Sequence, residues 1–301
     1  MNSDATDHLP PFGLLAGWGQ LPIEMATALQ RHGYAVHALL IKGHADPILA
    51  EISATHEWVG LGQIGKCVRF FHRHQVTTAT MVGKVHKVRI LDRGALWNHF
   101  PDWYGARVIA PFILGKKDRK DDTILSGICR AFSNKGIEFV PATDYAPDLL
   151  VKFGQLAGKP LSKKQLSDVQ YGWDLAKAIG LFDTGQSVAI KAQMALALEA
   201  VEGTDECIRR AGQLCRSGGF TIVKVAKPQQ DMRFDVPTIG VGTIETMAES
   251  GAVTLVIEAD KTIIVDEPAV IALANKLGIT ILAATGDRLG EVLSDDETAA
   301  A

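Results

Sequence analysis

The string Lys224-Val-Ala-Lys227-Pro-Gln229-Gln230-Asp231-Met-Arg233-Phe-Asp235-Val-Pro237 packs three cations, two amides and two carboxylates into fourteen residues. Carboxylates at Asp231 and Asp235 can bind a metal or position a water. Lys227 and Arg233 can neutralise phosphoryl oxygens as charge develops in a transition state. The plain alternative is a surface loop held by its own salt bridges. A second cluster, Glu199-Ala-Val-Glu202-Gly-Thr204-Asp205-Glu206, sets four carboxylates within eight residues. Such a group suits Mg²⁺, a hard cation that takes oxygen ligands and bridges to substrate phosphates. On sequence alone the stronger reading is a solvated acidic turn in which Thr204 or Asp205 caps the next helix. Asp183-Thr-Gly-Gln186, followed by Lys191 and Gln193, reads as a turn entering a strand, with Gln186 able to reach a polar ligand group.

Gly17-Trp18-Gly19-Gln20-Leu21-Pro22 stands between an apolar run and a helix pattern, where glycines let the backbone approach a phosphate at a helix N-terminus. The third glycine of G-x-G-x-x-G is missing, and no acidic residue closes the following strand at Ile41-Lys42-Gly43. A tight turn packing helix on strand is the structural alternative. A nicotinamide-dependent oxidoreductase has only this turn in its favour. A non-catalytic sugar-nucleotide or lipid-binding module, with structural acidic clusters, is the other competing class.

Apolar periodicity supplies the elements that must position these residues. A strand from Phe12, a helix over 23–32 and a strand over 34–41 form a βαβ unit, with Gly33 as helix stop. A strand over 56–61, a helix over 65–74, a strand over 78–82, a helix over 121–135 and a strand over 137–141 extend a parallel sheet. Lys84-Val-His86-Lys87-Val-Arg89, with Trp97, Phe100, Trp103 and Tyr104, mixes cations and rings as an interfacial patch would. It also reads as a solvated basic face. The predicted division is a first domain over 10–148, a polar linker over 149–170 and a second α/β domain over 171–290. In the second, a helix over 171–179 precedes strands over 187–191, 221–226, 253–258 and 262–265, with helices over 205–216, 244–250 and 267–277.

The chain has 301 residues, enough for two domains, with 47% hydrophobic and 22% charged residues. That composition disfavours a disordered chain and a coiled coil. A net charge of -3 removes the general electrostatic case for a nucleic-acid binder. Cys67, Cys129, Cys207 and Cys215 lack metal-site spacing, and nine scattered histidines make no zinc motif, so a reducing cytoplasm is expected. No apolar run is long enough to span a bilayer, and 1–8 are too polar for a secretory signal.

The stretches Gly13-Leu-Leu-Ala-Gly-Trp-Gly-Gln-Leu-Pro22, Asp183-Thr-Gly-Gln186, Ala200-Val-Glu-Gly-Thr-Asp205 and the Lys224 to Gly240 string resemble the LpxI family of UDP-2,3-diacylglucosamine diphosphatases. The resemblance implies an N-terminal Rossmann-like parallel-sheet domain and a C-terminal α/β domain, with the lipid product between them. It implies a cytoplasmic enzyme at the inner-membrane surface, often a homodimer. Its substrate would be a lipid-linked UDP-sugar, cleaved to UMP and 2,3-diacylglucosamine 1-phosphate in lipid A synthesis. Water would attack the α phosphorus with Mg²⁺ present. The family's essential aspartate falls on Asp231 or Asp235; both are candidates, and Asp231 is preferred between the glutamines and the arginine. On this reading Asp231, Glu202 and Asp205 form the metal set, and Lys227 and Arg233 hold the phosphates. Gly17, Gly19, Gln20, Gln186, Lys191, Thr204, Gln229 and Gln230 contact the substrate.

Overall fold

A computed structural model describes residues 9–85, 99–113, 121–233 and 235–289. The chain divides into two compact units, residues 1–148 with 232–234, and residues 149–231 with 235–301.

In the first unit, β1 (Pro11–Ala16), β2 (Ala35–Ile41), β3 (Thr55–Val59), β4 (Thr78–Val82) and β5 (Glu138–Phe139) form one sheet. Its order is β3-β2-β1-β4-β5, parallel throughout. This is the strand order of a Rossmann-type sheet, whose direction of winding reverses between β1 and β4. Helices α1 (Leu21–Arg31), α2 (Ile48–Ile52), α3 (Ile64–Arg73), α4 (Trp103–Ile113) and α5 (Asp121–Ser133) lie in the connections. Helix α3 forms because Ile64, Cys67, Val68 and Phe71 recur at three- and four-residue spacing and bury one face. Phe70 and Phe71 meet Phe132 and Phe139 in the core under the sheet. The glycine expected to end α1 does so: Gly33 has φ 84° and its N–H bonds Gln30 O at 2.9 Å. Of the cation-rich patch, 86–98 lie outside the described residues.

The second unit holds β6 (Gly154–Ala157), α6 (Lys163–Leu181), β7 (Ser187–Lys191), β8 (Met194–Leu198), α7 (Thr204–Leu214) and β9 (Phe220–Lys224). β10 (Thr238–Ile239), α8 (Val241–Ser250), β11 (Ala252–Glu258), β12 (Ile263–Ile264), α9 (Glu267–Leu277) and β13 (Thr280–Ala284) follow. The main sheet runs β6-β13-β11-β9-β7-β8. β13, β11 and β9 are parallel, while β6, β7 and β8 each pair antiparallel with their neighbours. Alternate residues point to opposite faces, as a strand requires. Ile222, Leu255, Ile257 and Ile281 pack with α7, α8 and α9, while Val188, Val223, Val256 and Leu282 pack with Val169, Trp173 and Ala176 of α6.

Residues 149–170, expected as a linker, carry the edge strand β6 and the opening turns of α6. Their polarity reflects an edge position and a helix start, where Ser162 and Gln165 make a reciprocal cap. Helix α6 therefore begins eight residues before the predicted 171, at Lys163.

Candidate functional site

Strand β9 ends at Lys224, and the cation- and carboxylate-rich string becomes the loop that leaves its carboxyl end. Parallel β11 ends at the same edge of the sheet. Loops at the carboxyl ends of parallel strands are where open α/β sheets place their ligands. The loop closes on itself. Lys227 N–H donates to Gln230 Oε1 at 2.9 Å, and Gln230 N–H donates to Lys227 O at 3.0 Å. The Gln230 side-chain amide donates to both the backbone carbonyl and the carboxylate of Asp235. Asp235 N–H donates to Asp231 O at 3.0 Å.

Lys227 lies among these groups with its side chain 18% exposed. Its Nζ donates to Asp183 Oδ1 at 2.6 Å and stands 3.8 Å from Asp235 Oδ2. The turn after α6 and the loop after β9 thus bring two carboxylates to one ammonium. The sequence marks Asp183 only as part of a turn; it takes a left-handed backbone, φ 55°, just past the end of α6. Asp231 is half-buried in the same loop, and Arg233 follows it.

Other predicted contacts are placed differently. Gln229 Nε2 donates to Gly180 O at 3.3 Å and Leu181 O at 3.0 Å, satisfying carbonyls at the end of α6, so its amide braces the loop. Lys191 is at the opposite end of the sheet from Lys227. β7 runs antiparallel to β9, with Ser187 opposite Lys224 and Ile190 opposite Thr221. Lys191 Nζ instead donates to Ser217 Oγ at 2.9 Å and to Gly218 O. Gln186 stays at the site edge, its N–H bonding Glu199 Oε2 at 3.3 Å and its carbonyl accepting Val225 N–H at 3.0 Å.

Thr204 is not a helix cap; Gly203 holds that position. The Thr204 hydroxyl donates to Glu199 Oε1 at 3.0 Å and accepts from Lys224 Nζ at 2.9 Å. Glu199 and Lys224 are both buried, a charged pair bridged by a hydroxyl beneath the loop. Burial of both charges requires this pairing.

The expected metal set does not assemble. Glu202 Oε1 accepts from Arg210 at 2.5 Å. A hydrogen bond from its own backbone N–H, opposed by slight burial, and the Arg210 guanidinium hold its carboxyl below the usual range. Asp205 is exposed in the first turn of α7, where it faces the helix dipole. Among the described residues no group of three or more His, Cys, Asp or Glu side chains is gathered for a metal ion. The loop carboxylates remain as donors, and magnesium commonly takes one or two carboxylates with substrate phosphates completing its shell.

Sequence reasoning missed Lys177 and Glu258. Glu258 Oε2, at the buried end of β11, accepts from Lys177 Nζ at 2.7 Å and from Ala226 N–H at 2.8 Å. Lys177 also donates to Ala226 O at 2.9 Å, and Lys261 Nζ lies 3.3 Å from Glu258 Oε1. These bonds pin the start of the loop. No local pattern announces them, because Lys177 and Glu258 are 81 residues apart.

In the first unit the glycine turn ends at the switch point. Gly17 N–H is committed to Val82 O at 2.8 Å, and Trp18 and Lys84 exchange two backbone bonds of 2.8 and 2.9 Å. Gly17 therefore joins two strand ends, while Gly19 and Gln20 lead into α1.

Comparison with known proteins agrees with this division. The family model for the LpxI N-terminal domain matches residues 11–149, and that for the LpxI C-terminal domain matches residues 152–282. The chain is 32% identical over 278 residues to UDP-2,3-diacylglucosamine pyrophosphatase LpxI of Caulobacter vibrioides, covering 90% of this chain and 96% of that one. With a Rossmann-type sheet under the first match and the loop of Lys227 and Asp235 within the second, the chain belongs to the LpxI family.

Proposed function

We propose that this protein hydrolyses the diphosphate of UDP-2,3-diacylglucosamine, giving UMP and 2,3-diacylglucosamine 1-phosphate for lipid A synthesis. The observation that carries this reading is the match along 96% of a relative named for that substrate. The loop after β9 supplies chemistry suited to it. Attack of water on the α phosphorus builds negative charge on the equatorial oxygens and on the departing sugar phosphate. Fixed cations placed before the reaction lower that barrier without reorganising. Lys227, oriented by Asp183 and Asp235, and Arg233 in the same loop are the cations assigned to the phosphates. Asp231 is assigned the water or the metal. Asp235 positions Lys227, since its carboxylate already receives the Gln230 amide.

Mg²⁺ is the cofactor of this reading; when bound it would neutralise phosphate oxygens. Asp231 would hold it together with the diphosphate, without Glu202 and Asp205. The acyl chains anchor the substrate in a bilayer. Among the described residues no helix is long and apolar enough to cross a membrane. The enzyme would therefore meet its substrate from the inner-membrane surface, as a peripheral protein.

The test is incubation with UDP-2,3-diacylglucosamine, Mg²⁺ and ¹⁸O-labelled water, followed by product analysis. Label in UMP is the expected result. Label in the sugar phosphate would overturn attack on the α phosphorus, and intact substrate across metals and detergents would overturn the hydrolase assignment.

A further inference from the structure

The turn between α7 and β9 brings a thiol, a hydroxyl and an ammonium together, at the end of the sheet opposite Lys227. Cys215 closes α7, Ser217 and Gly218 follow it, and Lys191 reaches them from the last residue of β7. Lys191 Nζ stands 3.6 Å from Cys215 Sγ and donates to Ser217 Oγ at 2.9 Å. Ser217 Oγ lies 3.6 Å from the same sulfur, and Gly218 O lies 3.5 Å from it. The three side chains close a triangle, although the amine and the thiol are 24 residues apart in sequence. The loop after β9 uses none of them.

A cysteine reacts as its thiolate, and a cation or a hydroxyl donor at the sulfur favours that form. The carboxyl end of α7 opposes it, with about half a negative charge spread over its last carbonyls. Lys191 answers with a full charge in contact with the sulfur. The hydrogen bond with Ser217, opposed by burial, and then the Lys191 ammonium hold the Cys215 thiol below its ordinary value. The other cysteines belong to the core. Cys67, Cys129 and Cys207 are 5%, 5% and 1% exposed, and burial pushes the thiols of Cys67 and Cys207 up to about 12. Cys215 is 9% exposed, and its neighbours Ser217 and Gly218 line a groove of about 680 Å³ between the ends of α7 and α8. Arg209 and Arg216 line the same groove, with Glu249 as its single carboxylate. A small molecule in that groove meets the residues that touch the sulfur.

We propose that Cys215 is a peroxide-oxidised thiol, activated by Lys191 and Ser217. The thiolate attacks one oxygen of a hydroperoxide, so that an S–O bond forms as the O–O bond breaks. The departing oxygen takes a proton from the Lys191 ammonium, and Lys191 regains from water the proton that the thiol had released. Sulfur loses two electrons and becomes a sulfenic acid, while hydrogen peroxide is reduced to water or an organic hydroperoxide to its alcohol. A sulfenic acid is reversible, because a thiol condenses with it to a disulfide. Lys191 also donates to Gly218 O, which a purely structural lysine would do as well. The rate at the sulfur separates the two roles. Oxidation here is independent of diphosphate hydrolysis.

The experiment treats the full chain with hydrogen peroxide at neutral pH, removes the peroxide with catalase and unfolds the protein in dimedone and N-ethylmaleimide. Dimedone marks sulfenic acids, N-ethylmaleimide marks surviving thiols, and peptide mass spectrometry reads all four cysteines. Cys215 should carry dimedone about tenfold more often than Cys67, Cys129 or Cys207. A neighbouring cation raises the thiolate fraction about ten- to a hundredfold, and weaker nucleophilicity takes back about half of that on a logarithmic scale. Lys191→Met should therefore slow oxidation about three- to tenfold, while Lys191→Arg, which keeps the charge, should retain most of the rate. Ser217→Ala changes an exposed residue and should slow oxidation about twofold. Equal labelling of the four cysteines overturns the proposal, as does a Lys191→Met variant oxidised at the parent rate. It also falls if Lys191→Met and Lys191→Arg are slowed alike, which would make the lysine a structural tie. If Lys191→Met fails to fold, Ser217→Ala decides, and a parent-like rate there overturns the activation. A chain that oxidises selectively at Cys215 but hydrolyses no UDP-2,3-diacylglucosamine would keep the reactive thiol and remove the enzymatic reading.

Discussion

Gly17 and Gly83 each require the other to be glycine. A Cβ on Gly17 would lie 2.8 Å from Lys84 O and 2.9 Å from the carbonyl carbon of Gly83, and a Cβ on Gly83 would lie 2.8 Å from the carbonyl carbon of Gly17. The loops leaving β1 and β4 are thus drawn together at the point where the sheet reverses its winding. Glycine in a strand-to-helix turn is usually read as room for a phosphate. Here one of the two glycines serves backbone against backbone.

Gly17→Ala should therefore act on stability. The new methyl meets backbone on the facing loop, which cannot rotate away, and overpacking of this kind costs about 1–3 kcal/mol. Gly19→Ala meets no atom within 4 Å, so its cost comes only from φ 113°. Urea unfolding followed by circular dichroism should show a lowered midpoint for Gly17→Ala. An unchanged midpoint with weakened nucleotide binding would instead return Gly17 to a ligand role.

The two aspartates of the loop should separate. Asp235 is occupied by the Gln230 amide and stands near Lys227, which keeps Asp183 as its closer partner. Asp235→Asn should lower kcat by about tenfold, through a less ordered Lys227, and Asp231→Asn by about 10²–10³-fold, the range for losing a direct transition-state contact. Steady-state kinetics at saturating Mg²⁺ decides, and the reverse order would exchange the two roles.

Glu258→Ala should destabilise the second unit by about 1–3 kcal/mol, the range for leaving a buried hydrogen-bonding group unsatisfied, because Lys177 keeps its side chain 26% exposed. It strands the Lys177 ammonium and the Ala226 N–H together, at the first residues of the loop. Thermal unfolding measures the loss. A change under about 1 kcal/mol would mean that Lys177 escapes to water.

The first unit was legible because its strands are short apolar runs ended by glycine, and local alternation suffices for a parallel sheet. The second was less so. Strand β8 follows β7 after only Ala192 and Gln193, both with positive φ, 51° and 57°. Asn-Gly or Gly-Gly would have announced such a hairpin. Here the turn is held from a distance: buried Asp168 of α6 accepts N–H bonds from Ala192 at 3.1 Å and Gln193 at 2.6 Å. A tertiary contact replaced the local signal, and with the hairpin unseen, Lys191 could not be placed at the far end of β7. The site followed the same rule. Lys227, Gln230, Asp231 and Asp235 share one string, and their composition marks it. Asp183, Lys177 and Glu258 arrive from other elements, and no spacing links them to it.

Acid should weaken the first unit through its histidines. The His37 ring stacks on His74 with centroids 4.8 Å apart, and its Nδ1 lies 2.8 Å from Thr55 Oγ1. Burial, then the neighbouring His74, lowers the His37 pKa below 6.5. Burial, His44 and Lys42 lower that of His99 in the same way. A histidine with a depressed folded-state pKa takes up its proton more readily in the unfolded chain. Stability is therefore full above pH 6.5 and falls as the pH drops through that value towards the folded pKa. Asp148 acts in a different window. Burial tends to raise its pKa, but the His32 bond and the Arg31 charge outweigh it, so its contribution fades only as the pH falls through 3.8. Denaturant midpoints measured between about pH 7.5 and pH 5.5 should decline, and His74→Gln should flatten the decline by removing one of the charges that oppose protonation of His37. A midpoint that rises on acidification would show that protonation is favoured by folding at these rings, contrary to their packing.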